Sequence, residues 1–164
     1  MWAFEIFPTA PGADTARGIT DYECPVPTTS GCVRPATLAI DHTTDSCGQS
    51  FLCSPGTLKS PDYPSRYPNS MSCTWTIFST IGQKVLLQFS LFKLESHPSC
   101  AWDYLDVYDG DSKHAPRLGR FCGDNFPKRL VSSGSKLHLV FYADNNMREE
   151  GFILNFTSIY YGKI

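Results

Sequence analysis

The run Cys73-Thr74-Trp75-Thr76-Ile77 alternates large side chains with small polar ones, which puts Cys73, Trp75 and Ile77 on one face of a strand. The same period of two returns in Val85, Leu87, Phe89 and Leu91, and then in Leu105 and Val107. It returns again in Leu137, Leu139 and Phe141, and last in Phe152, Leu154 and Phe156. These positions are the predicted core. Between them lie Gly82-Gln83, Asp109-Gly110, Gly123-Asp124, Ser133-Gly134 and Asn145-Asn146, pairs that accept a tight turn or a positive φ. No helical period longer than one turn competes. A helical chain would have to carry the prolines and the β-branched and aromatic residues without caps. The expected class is therefore all-β, a sandwich or barrel of short antiparallel strands beginning near Cys47. Residues 1–46 read differently: Pro8, Pro11, Pro25, Pro27 and Pro35 stand among Thr, Ser, Gly and Asp with no sustained period, the pattern of an irregular N-terminal arm.

Composition supports one domain plus an arm. The chain has 164 residues, too few for two full domains, and its 41% hydrophobic and 18% charged content is that of a packed chain and not a disordered one. Fourteen basic against 16 acidic residues give a formal net charge of −2, so no basic field exists to hold a nucleic-acid backbone or an anionic membrane. The longest apolar clusters, Val85-Leu86-Leu87 and residues 137–142, are far short of the roughly 20 residues of a membrane helix, so no direct membrane insertion is expected. Residues 1–12 have no basic start and no apolar run of signal-peptide length, and the expectation is that an upstream segment has been removed.

The 7 cysteines are spaced like staples and not like metal clips, which points to an oxidising, extracellular compartment. No Cys-x-x-Cys occurs, and His42, His97, His114 and His138 are scattered, so a structural zinc is not expected. Cys100 and Cys122 bracket a strand pair and are expected to bridge. Cys73 needs an upstream partner, and Cys47 and Cys53 both qualify by distance. Whichever is left joins Cys24 and Cys32, and three thiols cannot pair among themselves. One thiol is thus free, or bonded to absent chain or to a second copy, which leaves a covalent dimer open.

Catalytic signatures are absent: there is no Gly-x-Ser-x-Gly elbow, no His-Glu-x-x-His helix and no glycine-rich phosphate loop. Ser132-Ser133-Gly134 reads as a turn between strands, and no enzymatic activity is expected.

The segment Gly56-Thr57-Leu58-Lys59-Ser60-Pro61-Asp62-Tyr63-Pro64-Ser65-Arg66-Tyr67-Pro68, followed by Cys73-Thr74-Trp75-Thr76-Ile77, resembles the opening of a CUB domain. Phe89 to Glu95 resembles the family's Phe-x-x-Phe-x-Leu-Glu, Cys100 to Gly110 its Cys-x-x-Asp-Tyr-Leu-x-Val-x-Asp-Gly, and Leu118 to Gly123 its Leu-Gly-x-x-Cys-Gly. Leu137 to Asp144 and Gly151-Phe152 resemble its ending. The likeness runs in order over residues 47–161, leaving the arm, residues 1–46, and a tail, residues 162–164, outside it. It implies a jelly-roll-like sandwich of two antiparallel sheets with disulfides Cys47–Cys73 and Cys100–Cys122. Cys53 departs from the family pattern, and a bridge from it to Cys24 or Cys32 would pin the arm to the sandwich.

The resemblance also implies a calcium site: Glu95, Asp103 and Asp144 fall where many CUB domains hold Ca²⁺, and Tyr67 matches the tyrosine that supports it. Chemistry agrees, since three converging carboxylates repel one another unless a hard cation joins them, and all-oxygen ligation suits Ca²⁺. Without a metal the same residues would be ordinary solvated turn acids. The remaining ligands are expected from water and from the backbone carbonyls of Asn146 and Met147. Some relatives supply a side-chain oxygen at the Met147 position, which a thioether cannot do.

The implied function is a calcium-dependent protein-binding module of a secreted or cell-surface protein. A Lys or Arg of an extracellular partner would dock on Glu95, Asp103 and Asp144, with Tyr67 orienting an acid. Two alternatives stand beside it. One is a carbohydrate or glycosaminoglycan binder using Lys113, His114, Arg117, Arg120, Lys128, Arg129 and Lys136; the other is the non-catalytic recognition domain of an extracellular protease. Asn155-Phe156-Thr157 is a glycosylation sequon whose Asn155 is expected to face away from the core.

Overall fold

The alternating segments become strands because each has one apolar face to bury and a turn at either end. The computed structural model describes residue 47 and residues 49–160, and the expected arm and tail lie outside the described residues. In chain order the strands are β1 (Gln49–Cys53), β2 (Gly56–Lys59), β3 (Met71–Phe78), β4 (Gln83–Lys93), β5 (Tyr104–Tyr108), β6 (Arg117–Phe121), β7 (Arg129–Val131), β8 (Lys136–Ala143) and β9 (Gly151–Tyr160). They form a five-stranded sheet, β1-β3-β8-β5-β6, and a four-stranded sheet, β2-β9-β4-β7. No helix is present among the described residues, and the all-β sandwich expected from the alternation is the observed fold.

One pairing departs from the antiparallel rule. β1 runs parallel to β3, with Gln49 opposite Thr74 and Cys53 opposite Phe78. After β1 the chain crosses to the other sheet, adds β2 beside β9, and returns to β3 in its original direction. A parallel neighbour needs such a crossover, whereas a hairpin would reverse the strand.

Both sheets contribute to one apolar layer. Trp75, Ile77, Leu105, Val107, Leu137, Leu139 and Phe141 come from the larger sheet, and Val85, Leu87, Phe89, Phe152, Leu154 and Phe156 from the smaller. Phe152 lies edge-on to Trp75 at 6.0 Å and to Phe141 at 5.5 Å between ring centroids, tying the sheets together. Leu91 is a correction to the predicted core. The β4–β9 register shifts between Phe89 and Leu91, and that extra residue reverses which side chains face inward. Phe92 and Leu94 are buried in place of Leu91, which is only half-buried.

Disulfides join Cys47 to Cys73 and Cys100 to Cys122, as the resemblance implied. On the chain-entropy view each loop closure contributes on the order of 3 kcal/mol. Cys53 is also disulfide-bonded; the expected link from it to Cys24 or Cys32 lies outside the described residues.

On the outward face of the larger sheet, Asp106 is buried beneath Arg120, whose Nε and Nη2 donate to its two oxygens at 2.8 and 2.7 Å. That planar fork compensates a carboxylate which would otherwise be costly to desolvate. Arg120 also stacks 3.7 Å over the Tyr104 ring, and Tyr104 stacks on Tyr142. Gly151, at φ +86°, opens β9 where a Cβ would collide with Ser60 Oγ, the group that accepts the Phe152 N–H.

His138 is buried on the same outward face. It shares a 2.9 Å hydrogen bond with Thr76 Oγ1, lies against the Tyr108 ring, and is held below its ordinary value of 6.5 by burial, an effect that Asp111 partly offsets. Below that value the unfolded chain binds the proton before the folded one does, so His138 contributes stability above about pH 6.5 that is lost as pH falls through the folded value. The melting temperature should therefore fall between about pH 7.5 and about pH 5.5, and His138→Gln should flatten that slope in thermal melts. An unchanged slope would show that this ring does not titrate with unfolding.

Candidate functional site

Three strand ends meet at one pole of the sandwich. Glu95 follows β4 of the smaller sheet, Asp103 precedes β5, and Asp144 follows β8 of the larger sheet. Local bonds fix each backbone. Leu94 N–H donates to the Gly123 carbonyl at 2.9 Å and Gly123 N–H to the Glu95 carbonyl at 3.2 Å, so Glu95 is clamped to the chain just after the Cys100–Cys122 bridge. Ser70 N–H holds the Asp144 carbonyl at 2.6 Å. The structure thus brings all three acids together, each offering an oxygen within 4.8 Å of the others.

Their surroundings are not those of solvated turn acids. Asp103 is 0% exposed and Glu95 6%. Tyr67, itself fully buried and edge-on to Phe141, donates to Asp103 Oδ2 at 2.6 Å. The same phenol oxygen accepts the Glu95 N–H at 3.2 Å, so one side chain positions two of the acids. Asp103 Oδ1 accepts the Asp144 N–H at 2.8 Å. Asp144 in turn accepts from the Asn146 N–H at 2.8 Å and Nδ2 at 3.4 Å.

Burial pushes the Glu95 carboxyl above its usual range, and the negative charges of Asp103, Asp144 and Glu149 push it further. Burial also raises Asp103, although the bonds from Tyr67 and from the Asp144 N–H pull it back. The Tyr67 phenol is driven well above its usual range by burial and by Asp103, so it remains a donor. Glu95 Oε2 is buried with no hydrogen-bond partner. A buried carboxylate oxygen without a partner, on a residue clustered with two other acids, is chemically unsatisfied, and a hard divalent cation is the ligand that such a donor set fits.

The other expected ligands are placed less tightly. The Asn146 carbonyl accepts from Asn69 Nδ2 at 3.2 Å, leaving it one lone pair. Met147 is 58% exposed, and among the described residues no hydrogen bond links its side chain to the acids. Asn69 and Glu149 were missed in the sequence. Asn69 Nδ2 also donates to the Asn145 carbonyl, and its own Oδ1 is buried and unpaired. Glu149 stands in an Arg-Glu-Glu run that reads as solvated charge, yet it acts on Glu95 and lies 3.6 Å from Lys93 Nζ. The Tyr-Pro-Asn step was the only pointer to Asn69.

A disulfide-stapled β-sandwich with an acidic pole is the class these features define. The CUB domain family matches residues 47–156, and the chain belongs to that family. Mouse Tolloid-like protein 2 is 45% identical over 106 residues, which is 65% of this chain and 10% of that protein. The crystal structure of the MASP-1 CUB2 domain bound to Ca²⁺ is 33% identical, with a TM-score of 0.58 over 66% of this chain and 96% of that one. The full extracellular region of zebrafish Gpr126/Adgrg6 is 33% identical with a TM-score of 0.62, over 71% of this chain and 15% of that one. The chain therefore spans a small part of the curated relatives it matches.

Tyr67→Phe keeps the ring and deletes one donor to Asp103 and one acceptor for Glu95. In calcium-free buffer the variant should lose about 1–3 kcal/mol, read as a lower urea midpoint at unchanged m-value. A midpoint equal to that of the parent would show that the phenol does not organise the acids.

Proposed function

We propose that this domain is a calcium-dependent protein-binding module of a secreted or cell-surface protein, which docks a Lys or Arg of an extracellular partner at its acidic pole. The observation that carries this reading is the convergence of Glu95, Asp103 and Asp144, each offering an oxygen within 4.8 Å of the others, with Glu95 Oε2 buried and unpaired. The three acids would hold Ca²⁺, with water and the carbonyls of Asn146 and Met147 completing the shell. When bound, the ion supplies two positive charges that relieve the repulsion among the carboxylates. One formal negative charge then remains. Glu95, Asp103 and Asp144 would direct it at a cationic side chain through charge-assisted hydrogen bonds, while Tyr67 keeps Asp103 in place. That the MASP-1 CUB2 structure is a Ca²⁺ complex supports the same assignment here.

Met147 brings no oxygen in its side chain, so the affinity is expected at the weak extracellular end, roughly 10⁻⁴ to 10⁻³ M. Calcium would then order the pole more than it holds the fold. The acids do not suit catalysis: both Asp103 oxygens already accept protein hydrogen bonds. The glycosaminoglycan alternative loses cations to internal pairing. Arg117 and Arg120 face Asp106 at 3.6 and 2.7 Å, and Lys136 faces Asp111 at 3.3 Å. Asn155 lies on β9 opposite Thr57 and Gln88, its side chain bonded to Thr57 and Ser90. A glycan there would cover the smaller sheet's outer face, and a mass loss with peptide N-glycosidase on protein from a secreting cell would establish it.

Titration calorimetry with CaCl₂ should show one saturable site. A few millimolar Ca²⁺ should stabilise the fold by about 1–2 kcal/mol, reversed by EDTA. Asp144→Ala should abolish both effects; a parent protein with neither heat nor a melting shift would refute the site. On a peptide array, retention should require calcium and an unmodified Lys or Arg. Retention unaffected by EDTA, or by replacing every Lys and Arg of the peptide with Gln, would contradict cation docking while leaving the calcium site intact.

A further inference from the structure

The larger sheet carries a second apolar patch on the face turned away from the core. In β3, Cys73, Trp75 and Ile77 belong to the central cluster, so Thr74, Thr76 and Phe78 face outward. Phe78 is nevertheless only 4% exposed, and it is not part of that cluster. Phe51 of β1 lies 6.0 Å from it, ring to ring, and Lys136 Nζ lies 5.5 Å from its centroid. Thr76 and His138 beside it are buried as well. Parallel register puts Phe51 next to Thr76 and Cys53 next to Phe78, which places Cys53 at the rim of this patch.

Cys53 is disulfide-bonded, and the other four described cysteines are paired with one another, Cys47 with Cys73 and Cys100 with Cys122. The chain holds 7 cysteines, and the two outside this set are Cys24 and Cys32. The upstream chain enters the described structure at Cys47, immediately before β1. An extended chain covers up to about 3.5 Å per residue, so the stretch between Cys32 and Cys47 is long enough to return along all of β1.

We propose that residues 1–46 dock on the outer face of the larger sheet, over Phe51 and Phe78, held by a disulfide from Cys53 to Cys24 or Cys32. In forming that bond the two thiols give up two protons and two electrons to a disulfide oxidant of the secretory compartment, which is reduced to two thiols. Pro25 and Pro27 beside Cys24 lack the N–H needed to extend a sheet. The arm would thus cover the edge strand β1 against pairing with other chains without starting a new sheet. The acidic pole, at the ends of β4, β5 and β8, stays open to a partner.

The test is non-reducing peptide mapping of the full chain. Endoproteinase Asp-N cuts before Asp41, between Cys32 and Cys47, and before Asp62, between Cys53 and Cys73, and chymotrypsin cuts after Phe51, which separates Cys47 from Cys53. The fragment with Cys53 should appear linked to the one holding Cys24 and Cys32, and Cys24→Ser and Cys32→Ser identify which of the two bonds. Linkage of Cys53 to Cys47, to Cys73 or to a second chain overturns the proposal. Hydroxyl-radical footprinting reads the docking itself. In Cys53→Ser, Phe51 and Phe78 should oxidise several-fold faster, with Phe152 unchanged as the sign of an intact core. Equal rates at Phe51 and Phe78 in the two proteins reject the seat.

Discussion

Repulsion among three carboxylates is the constraint around which this pole is built. Glu95 and Asp103 are withdrawn from water, and Asp144 stands close enough for all three to share one ligand. Buried like charges at that spacing are unfavourable unless an opposite charge compensates them. The protein supplies partial compensation: a phenol O–H and two backbone N–H groups go to Asp103 and Asp144, but nothing goes to Glu95 Oε2. Arg120 is spent on Asp106, and Lys93 faces Glu149 and Glu150. The fold thus keeps a site of unbalanced negative charge.

A sandwich is a suitable frame for such a site because its ends gather residues that are far apart in sequence. Glu95 comes from one sheet and the two aspartates from the other, so the acids converge only when the sheets are packed. Tyr67 fastens that convergence. Its ring belongs to the core and its oxygen to the acids, so the packing of Phe141 and Phe152 is transmitted to the carboxylates through one rigid side chain. The Cys100–Cys122 bridge does the same for the loop that carries Asp103 and for the backbone beside Glu95.

Much of this was legible in the chain. Strict alternation located the inward faces of β3, β5, β8 and β9, because each is bounded by turn residues and buries one side only. It failed at Leu91, where Leu91-Phe92 offers two adjacent apolar residues and the choice between them is made by a bulge against β9, a strand distant in sequence. Parallel β1 was hidden for a similar reason, since it depends on where β2 goes. The acids were legible only through resemblance. Nothing local distinguishes Asp103 and Asp144 from Asp106 and Asp109, yet Asp106 is matched by Arg120 whereas Asp103 faces other acids. Asn69 and Glu149 carried no pattern, and only the folded pole gives them a role.

The arm face and the acidic pole are separate features resting on separate observations, and loss of one leaves the other standing. Terbium luminescence reads whether the pole holds a cation. Tb³⁺ enters all-oxygen calcium sites, and Tyr67, bonded to Asp103 at 2.6 Å, is placed to sensitise it under ultraviolet excitation. If the three acids bind calcium, emission should saturate, excess Ca²⁺ should displace it, and Asp103→Asn should lose it while remaining folded. Absence of sensitised emission, or emission indifferent to calcium, would contradict that binding.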